Sequence, residues 1–183
     1  MNMETDDYRD KLLGYEGTSA VSYWGMVKSI IPAGYEFESR EHKNAGNIVN
    51  NSLNYAYGIL YTRVLNAVSV SGLNPNIGFL HREQTNKPVL IYDIIEPFRA
   101  PIGDRAVFAL CNRNVRLKKD KSGFLENESR SKVSKSVLMR LNKEIIYRGK
   151  EINYSDILLN QVKEIRAYLE GEAKTYKAFL SKW

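Results

Sequence analysis

Two acids and one histidine stand out in a stretch of the sequence that is otherwise apolar. Asp93 and Glu96 lie within VLIYDIIEPF, and His81 precedes that segment. On a helix, a spacing of three puts both carboxylates on one face, with ~5–6 Å between their Cβ atoms. Burying two unpaired anions side by side is costly, and a divalent cation would relieve that cost. Carboxylate and imidazole ligands suit Mn²⁺, suit Mg²⁺ that keeps several waters, and do not exclude Zn²⁺.

The same residues also allow a simpler interpretation. Two acids on a helix face are most often solvated or paired with a basic neighbour, here Arg99 or Arg105. Glu16, taken alone, reads as a capping acid at a helix start, where the helix dipole favours a negative charge. The residues alone therefore leave the metal site and the ordinary surface acids as alternatives.

The apolar pattern predicts an all-α fold that forms a single helical domain over residues 1–183, with little sheet. The predicted loops are residues 33–47 and residues 117–127, the second of which could also form a short hairpin. Helices are expected at residues 4–31 with a break near Gly14, and at 47–72, 88–98, 103–115, 129–144 and 155–181. The helix at 47–72 has the clearest pattern, with Asn47 as its N-cap and Gly72 at its end.

Charge is unevenly distributed along the chain. The net charge is +6, and residues 113–150 alone hold twelve Lys and Arg against four Asp and Glu. Such a block can hold a polyanion through phosphate contacts and counterion release. Its simpler interpretation is a solvated, lysine-rich face.

The composition restricts the cellular setting. No apolar run is long enough to span a bilayer, and the polar, acidic N-terminus does not resemble a secretory signal. The only cysteine, Cys111, lies in an apolar context and is expected to be buried. These features predict a cytoplasmic protein with no membrane partner.

Three segments, taken in order, resemble the catalytic helical domain of the CRISPR-associated adaptation integrase family. LLGYEGTSAVSYW is similar to the family's Glu-Gly-x-x-Ala element, and YDIIEPFRAPIGDR is similar to its Asp-x-x-Glu-x-Phe-Arg element. Between them, FESR and then NIVNNSLNYAYGILYTRVLNAVSVSGLNPNIGFLH resemble the family's Phe-x-x-Arg, long Asn-initiated helix and Gly-Leu-x-Pro-x-Ile-Gly-Phe-x-His. Together these segments cover about residues 12–115.

The resemblance implies roles for individual residues. Glu16, His81 and Glu96 would be catalytic and hold Mg²⁺ or Mn²⁺, and Asp93 would be a supporting or alternate ligand. Arg40 and Tyr61 fall where the family has residues near DNA, and Asn50 matches the asparagine that opens the long helix. Arg82 and Arg99 adjoin the implied ligands and are candidate phosphate clamps; an ordinary surface charge is the alternative for each.

The resemblance also implies a function: metal-dependent DNA cleavage and strand transfer during CRISPR spacer acquisition. Implied partners are double-stranded or branched DNA and the companion adaptation subunit, with a homodimer in the full-length protein and a reverse-transcriptase fusion as further assemblies. The family's N-terminal β-domain is absent from this chain, and EHKNAGNIV departs from the family's loop after Phe-x-x-Arg. A non-catalytic DNA-binding or assembly subunit is therefore the alternative function.

Overall fold

A computed structural model describes residues 3–42, 46–85 and 87–181 of the chain. The protein is 61% helical, and a two-stranded antiparallel hairpin is the sheet within these residues, which confirms the predicted all-α class. The helices are α1 (Met3–Ile30), α2 (Ile48–Val70), α3 (Val89–Phe98), α4 (Arg105–Asn112), α5 (Asn127–Leu141) and α6 (Tyr154–Leu169). The hairpin strands are β1 (Glu144–Tyr147) and β2 (Lys150–Asn153). No helix in the described part of the chain has the length and hydropathy needed to cross a membrane.

The central helix is α2, which begins and ends as the sequence predicts. The Asn47 side chain accepts hydrogen bonds from the backbone N–H of Val49 (2.7 Å) and of Asn50 (3.3 Å), which caps the first turn. Gly72, at φ +71°, follows the last turn. The buried stripe of α2 packs against α3, α4, α5 and α6 and consists of Val49, Leu53, Ala56, Leu60, Val64 and Val68.

A widened π-helical turn joins α3 to α4. It covers Arg99–Asp104, follows Pro97 and contains Pro101. Neither proline has a backbone N–H to donate, so the regular α-helical hydrogen-bond ladder is interrupted here. Single π-helical turns within α-helices are frequent at functional sites.

Helix α1 is continuous, so the predicted break near Gly14 is wrong, and Glu16 lies within the helix rather than at its start. Gly14 costs only about 1 kcal/mol in a helix interior, which does not break a helix of this length. The C-terminal half of α1 is packed through Val27, which is fully buried. Its exposed N-terminal half is tied to the loop before α3 by a hydrogen bond from Arg9 to the Phe79 carbonyl (3.1 Å).

The C-terminal part of the chain differs most from the sequence prediction. The helix predicted for residues 155–181 ends at Leu169, with Gly171 at φ +78° just beyond it, and residues 175–181 are extended or irregular. This segment returns to the core, where Phe179 stacks on Phe98 with 5.1 Å between ring centroids. The apolar spacing of the segment reflects burial of single side chains rather than a helical face.

The hairpin β1–β2 is a feature that the sequence prediction missed. Residues 145–153 were not assigned to strands, and the preceding helix was extended to 144, although α5 ends at Leu141. Arg148 (φ 50°) and Gly149 (φ 78°) form the two-residue turn of the hairpin. In the predicted loop at 117–127, an isolated bridge pairs Lys119 with Leu125. Residues 43–45 of the other predicted loop lie outside the described residues.

Candidate active site

Glu16 of α1 and Glu96 of α3 line the same pocket. The cavity has a volume of about 330 Å³ and is also lined by Arg40, Arg99 and Asp104. The structure therefore brings together two of the three implied metal ligands, which are 80 residues apart in the sequence. It also places two of the predicted DNA-binding arginines beside them.

Glu96 lies in surroundings that disfavour its ionised form. Burial raises the pKa of its carboxyl, and the nearby negative charge of Glu16 raises it further, while Arg99 and His81 act in the opposite direction. Arg99 makes an ion pair with it, at 2.7 Å between Nη1 and Oε1. Glu16 and His81 are thus both close enough to Glu96 to act on its charge.

Asp93 holds His81 in a fixed orientation. Its carboxylate accepts hydrogen bonds from the backbone N–H of Phe79 (2.7 Å), Leu80 (3.1 Å) and His81 (3.0 Å), and lies 2.6 Å from Nδ1 of the His81 ring. In the neutral ring this bond places the proton on Nδ1, which donates to the carboxylate, and leaves the Nε2 lone pair for a ligand. Both oxygens of Asp93 are occupied by these bonds, which favours its supporting role over that of an alternate ligand.

Gly78 allows the backbone of residues 79–81 to approach the Asp93 carboxylate. A Cβ at this position would lie 2.7 Å from Oδ2 of Asp93 and 2.9 Å from the His81 carbonyl oxygen. Because real Cβ atoms essentially never approach other atoms so closely, a side chain here would push the loop off the carboxylate. Close packing against Asp93 and the His81 carbonyl therefore explains the glycine of the Ile-Gly-Phe motif.

The donor set fits a hard divalent cation in chemistry, although it is not arranged as a coordination sphere. Two carboxylates and an imidazole with an acidic partner are typical ligands of such an ion. Burial and the charge of Glu16 destabilise the ionised form of Glu96, and a cation would relieve that destabilisation. Among the residues that the structure describes, no three His, Cys, Asp or Glu side chains form a group that could hold a metal ion.

Two arginines flank the acids and carry unsatisfied donors. The guanidinium carbons of Arg40 and Arg99 both lie 5.2 Å from the centre of the Tyr57 ring. Arg40 is further fixed by Asn54, whose Oδ1 accepts from its Nη2 at 2.6 Å. The Nε atoms of Arg40 and Arg99 are buried without a hydrogen-bond partner among the described residues. The two guanidinium groups line the pocket, and a guanidinium is suited to a phosphate oxygen.

Asp104 is a component of the pocket that the sequence analysis missed. It is 2% exposed and accepts hydrogen bonds from the hydroxyl groups of Tyr57 and of Tyr23, the latter at 2.7 Å. Burial raises its pKa to about 6, although both hydroxyls and the nearby arginines act against that shift. Gly103 lets the Tyr57 ring approach, since a Cβ there would be 2.8 Å from it. No local pattern of the sequence indicates this role, because the contact joins residues 47 positions apart.

The other residues predicted to bind DNA lie around this centre. Tyr61 is partly buried, with its ring 6.1 Å from that of Tyr92, which in turn lies 5.9 Å from the His81 ring. Arg82 is exposed and lies 3.4 Å from Asp10 of α1, so it connects the histidine loop to the helix that carries Glu16. Their contacts to DNA remain predictions.

Some cations of the basic block have structural roles. Arg140 donates two hydrogen bonds, of 2.8 and 2.7 Å, to the Pro101 carbonyl in the π-helical turn. Arg148 pairs with Glu164 at 2.6 Å. Lys118, Lys119 and Lys121 are exposed, and the DNA-binding prediction still applies to these residues of the 117–127 turn.

The fold and the pocket define a helical protein with an acidic centre flanked by arginines, and comparison with known proteins assigns its family. Residues 1–140 match the family model described as CRISPR associated protein Cas1. The chain belongs to the Cas1 family. This confirms the resemblance drawn from the three sequence segments.

Individual relatives agree with this assignment. The chain is 34% identical to CRISPR-associated endonuclease Cas1 1 of Archaeoglobus fulgidus, over 97% of this chain and 54% of that protein. A casposase bound to its integration product has a similar structure, with a TM-score of 0.85 and 30% identity over 92% of this chain and 50% of the casposase. A chain of a Cas6-RT-Cas1–Cas2 complex shares the fold at a TM-score of 0.76 and 21% identity, over 91% of this chain and 19% of that chain. The chain spans about half the length of the curated relatives it matches.

Proposed function

We propose that this chain is a divalent-metal-dependent DNA endonuclease and integrase domain that acts in CRISPR spacer acquisition. The observation that carries the proposal is the shared pocket of Glu16, Glu96, Arg40 and Arg99, beside a histidine oriented by Asp93. The names of the relatives support it, since one is an endonuclease and another is a casposase bound to an integration product. Strand cleavage and strand transfer are both phosphoryl-transfer reactions.

Glu16, Glu96 and Nε2 of His81 would hold Mg²⁺ or Mn²⁺ in this proposal. When bound, the ion supplies activation of the attacking oxygen and charge compensation at the phosphate. Asp93 keeps the His81 ring in the required tautomer. Arg40 and Arg99, which line the same pocket, would bind the non-bridging phosphate oxygens through their guanidinium groups.

DNA and the protein partners are part of the same proposal. The substrate is double-stranded or branched DNA, which the exposed cations around residues 117–127 would hold without reading its sequence. A companion subunit such as Cas2 is supported by the complex that contains a chain of the same fold. The proposal also includes a reverse-transcriptase fusion and a homodimer of a longer protein. Both are compatible with the coverage, since the match spans 54% of one relative and 19% of the chain from the Cas6-RT-Cas1–Cas2 complex.

A nicking and strand-transfer assay with branched DNA tests the proposal. We expect cleavage with Mn²⁺ or Mg²⁺ and none with EDTA, and Glu96→Gln and His81→Ala should each abolish turnover. Glu151→Gln is the matched control, because Glu151 is an exposed acid on β2 outside the pocket. Activity retained in both site variants would contradict the assignment of the site.

The alternative, a non-catalytic DNA-binding or assembly subunit, is favoured by one observation: the described acids and histidine do not form a ready coordination group. The same assay separates the two functions. Tight binding of branched DNA without turnover, with any of Mg²⁺, Mn²⁺ or Zn²⁺, would support the alternative.

A further inference from the structure

Asp104 is a buried acid of the pocket that has no part in the proposed reaction. Its two carboxylate oxygens have separate partners: Oδ1 accepts from the hydroxyl of Tyr57 on α2, and Oδ2 accepts from the hydroxyl of Tyr23 on α1 at 2.7 Å. A buried carboxyl group is costly unless its hydrogen bonds are satisfied. The two hydroxyl groups satisfy Asp104, and the acid in turn fixes the orientation of both rings.

Both arginines of the pocket lie against the Tyr57 ring. The guanidinium carbons of Arg40 and Arg99 are each 5.2 Å from its centre, within the distance at which an aromatic ring attracts a cation. Gly103 leaves room for the ring, since a Cβ there would lie 2.8 Å from it. The position of the ring, and with it that of both cations, therefore depends on the turn that carries Asp104.

The second hydroxyl partner connects Asp104 to Arg40 by another route. The Tyr23 ring meets the neighbouring Trp24 ring edge to face, with 5.0 Å between their centroids. The guanidinium carbon of Arg40 lies 5.8 Å from the centre of the Trp24 ring. Phe37, which is buried, packs on the same ring at 6.1 Å and anchors the segment that leads to Arg40. Two rings thus hold Arg40, and both are linked to one carboxylate.

Asp104 shares its pocket with Glu16 and Glu96, so a role as a further metal ligand is the competing explanation. The two roles place different demands on the side chain. A positioning role needs a hydrogen-bonding group of the same shape, which asparagine supplies, because a tyrosine hydroxyl can accept as well as donate. A hard divalent ion favours the negative charge of a carboxylate, which asparagine lacks.

We propose that Asp104 is a positioning residue for the phosphate-binding arginines of the pocket. It acts through the hydroxyl groups of Tyr57 and Tyr23, and the groups that it fixes are the guanidinium groups of Arg40 and Arg99. A guanidinium binds a phosphate through N–H groups in one rigid plane, so its orientation decides how many of them reach the oxygens. Cations held in advance also lose less side-chain entropy when the phosphate arrives. The inference rests on the proposed function for the identity of the anion.

A cycle that changes the protein and the DNA phosphate together tests the inference. The probes are a branched duplex and the same duplex with a neutral methylphosphonate in place of the phosphate at the branch point. Binding is measured in EDTA, so that no catalysis is required. The wild type should bind the charged probe ~10- to 100-fold more tightly, the range of hydrogen bonds to a charged group. Asp104→Ala should bind both probes with similar affinity, whereas Asp104→Asn should keep most of the preference.

Two tyrosine variants complete the cycle. Asp104→Ala removes a buried side chain, and Tyr57→Phe tests the same link in a protein whose core stays filled. It retains the ring that the arginines contact and removes only the hydroxyl that donates to Asp104, so the preference for the charged probe should fall. Tyr147→Phe is the matched control, because it removes a hydroxyl that contacts Gln161 on the hairpin side of the protein, and it should keep the wild-type preference.

Each outcome supports or overturns the inference. The same preference for the charged probe in the wild type, Asp104→Ala and Tyr57→Phe would overturn it, even if the nicking assay succeeds. A wild type that binds both probes equally would overturn it too, because the arginines would then not hold this phosphate. A loss in Asp104→Asn as large as in Asp104→Ala would show that the charge matters rather than the hydrogen bonds, and would also overturn it. A preference lost in Asp104→Ala and Tyr57→Phe but kept in Asp104→Asn, in a protein that never cleaves DNA, would support the positioning role and count against the proposed function.

Discussion

Replacing Asp93 with asparagine tests how the histidine is held. The two carboxylate oxygens share four donors: Oδ1 accepts from the N–H and Nδ1 of His81, and Oδ2 accepts from the N–H of Phe79 and of Leu80. An asparagine keeps one acceptor oxygen and presents an NH₂ group to the other pair. If the oxygen stays with His81, the N–H groups of Phe79 and Leu80 lose their acceptor.

The cost follows from the number of donors that are left. An orphaned buried donor costs about 1–3 kcal/mol. Phe79 and Leu80 are only partly covered, so water can reach part of their backbone, and the low end of the combined range of about 2–6 kcal/mol applies, about 2–3 kcal/mol. For a chain of this size each kcal/mol lowers Tm by about 2–4 °C. We therefore expect Asp93→Asn to lower Tm by about 4–12 °C.

The assay is thermal unfolding followed by circular dichroism at pH 7 in EDTA, and then with Mn²⁺ added. Because the His81 ring loses a charged partner, we expect the Mn²⁺ concentration needed for half-maximal stabilisation to rise ~10- to 100-fold. Asp7→Asn is the control, since its side chain is 67% exposed and pairs only with Lys11 among the described residues. An Asp93→Asn protein with the wild-type Tm and the wild-type Mn²⁺ response would refute the reasoning.

Three further predictions concern the packing around the site. Asp104 should make the free energy of unfolding fall by up to about 3 kcal/mol as pH rises from 4 to 6, because its pKa is raised from 3.8 to about 6 and the native state therefore holds the proton longer than the unfolded chain. Urea unfolding at several pH values should show a flatter pH profile for Asp104→Asn than for the wild type. The same slope in both proteins would contradict this prediction. Gly78→Ala should destabilise the protein, because the new Cβ would lie 2.7 Å from a carboxylate oxygen of Asp93. Gly58→Ala, within α2 and with nothing within 4 Å of the new Cβ, should stabilise the protein by about 1 kcal/mol. A higher Tm for Gly78→Ala than for Gly58→Ala would be inconsistent with the contacts described. Phe179→Ala should cost about 3–5 kcal/mol in urea unfolding because its ring is buried and stacked, and a loss below 1 kcal/mol would show that the C-terminal segment is not part of the core.

The elements that the sequence predicted well are those whose signals are local. The apolar stripe of α2 repeats over many turns, and the Asn47 cap and Gly72 mark its ends. The apolar run after Pro88 predicted the helix that carries Asp93 and Glu96, and the structure shows both on α3. In each case the evidence lies within a few residues of the feature.

The features that were missed depend on contacts between distant parts of the chain. Nothing near Asp104 indicates that its carboxyl meets Tyr57, because the contact requires both the π-helical turn and the packing of α2 against it. The apolar residues after Leu169 continue a helical spacing, but Phe179 is buried by Phe98 from another helix. Tertiary packing overrides local pattern in both places.

The segment from Asp93 to Asp104 explains how this fold can assemble one centre from distant parts of the chain. Asp93 faces the loop before α3 and fixes His81, while Glu96 faces α1 and shares a pocket with Glu16. Asp104, the last residue of the π-helical turn, accepts from Tyr57 of α2, the ring on which both pocket arginines lie. This stretch of twelve residues thus makes polar contacts with the loop through Asp93, and with α2 and α1 through Asp104, which accepts from Tyr57 and Tyr23. Because α3 is otherwise apolar and packed in the core, its position is fixed by burial, and the polar contacts then align the loop, α1 and α2 relative to it.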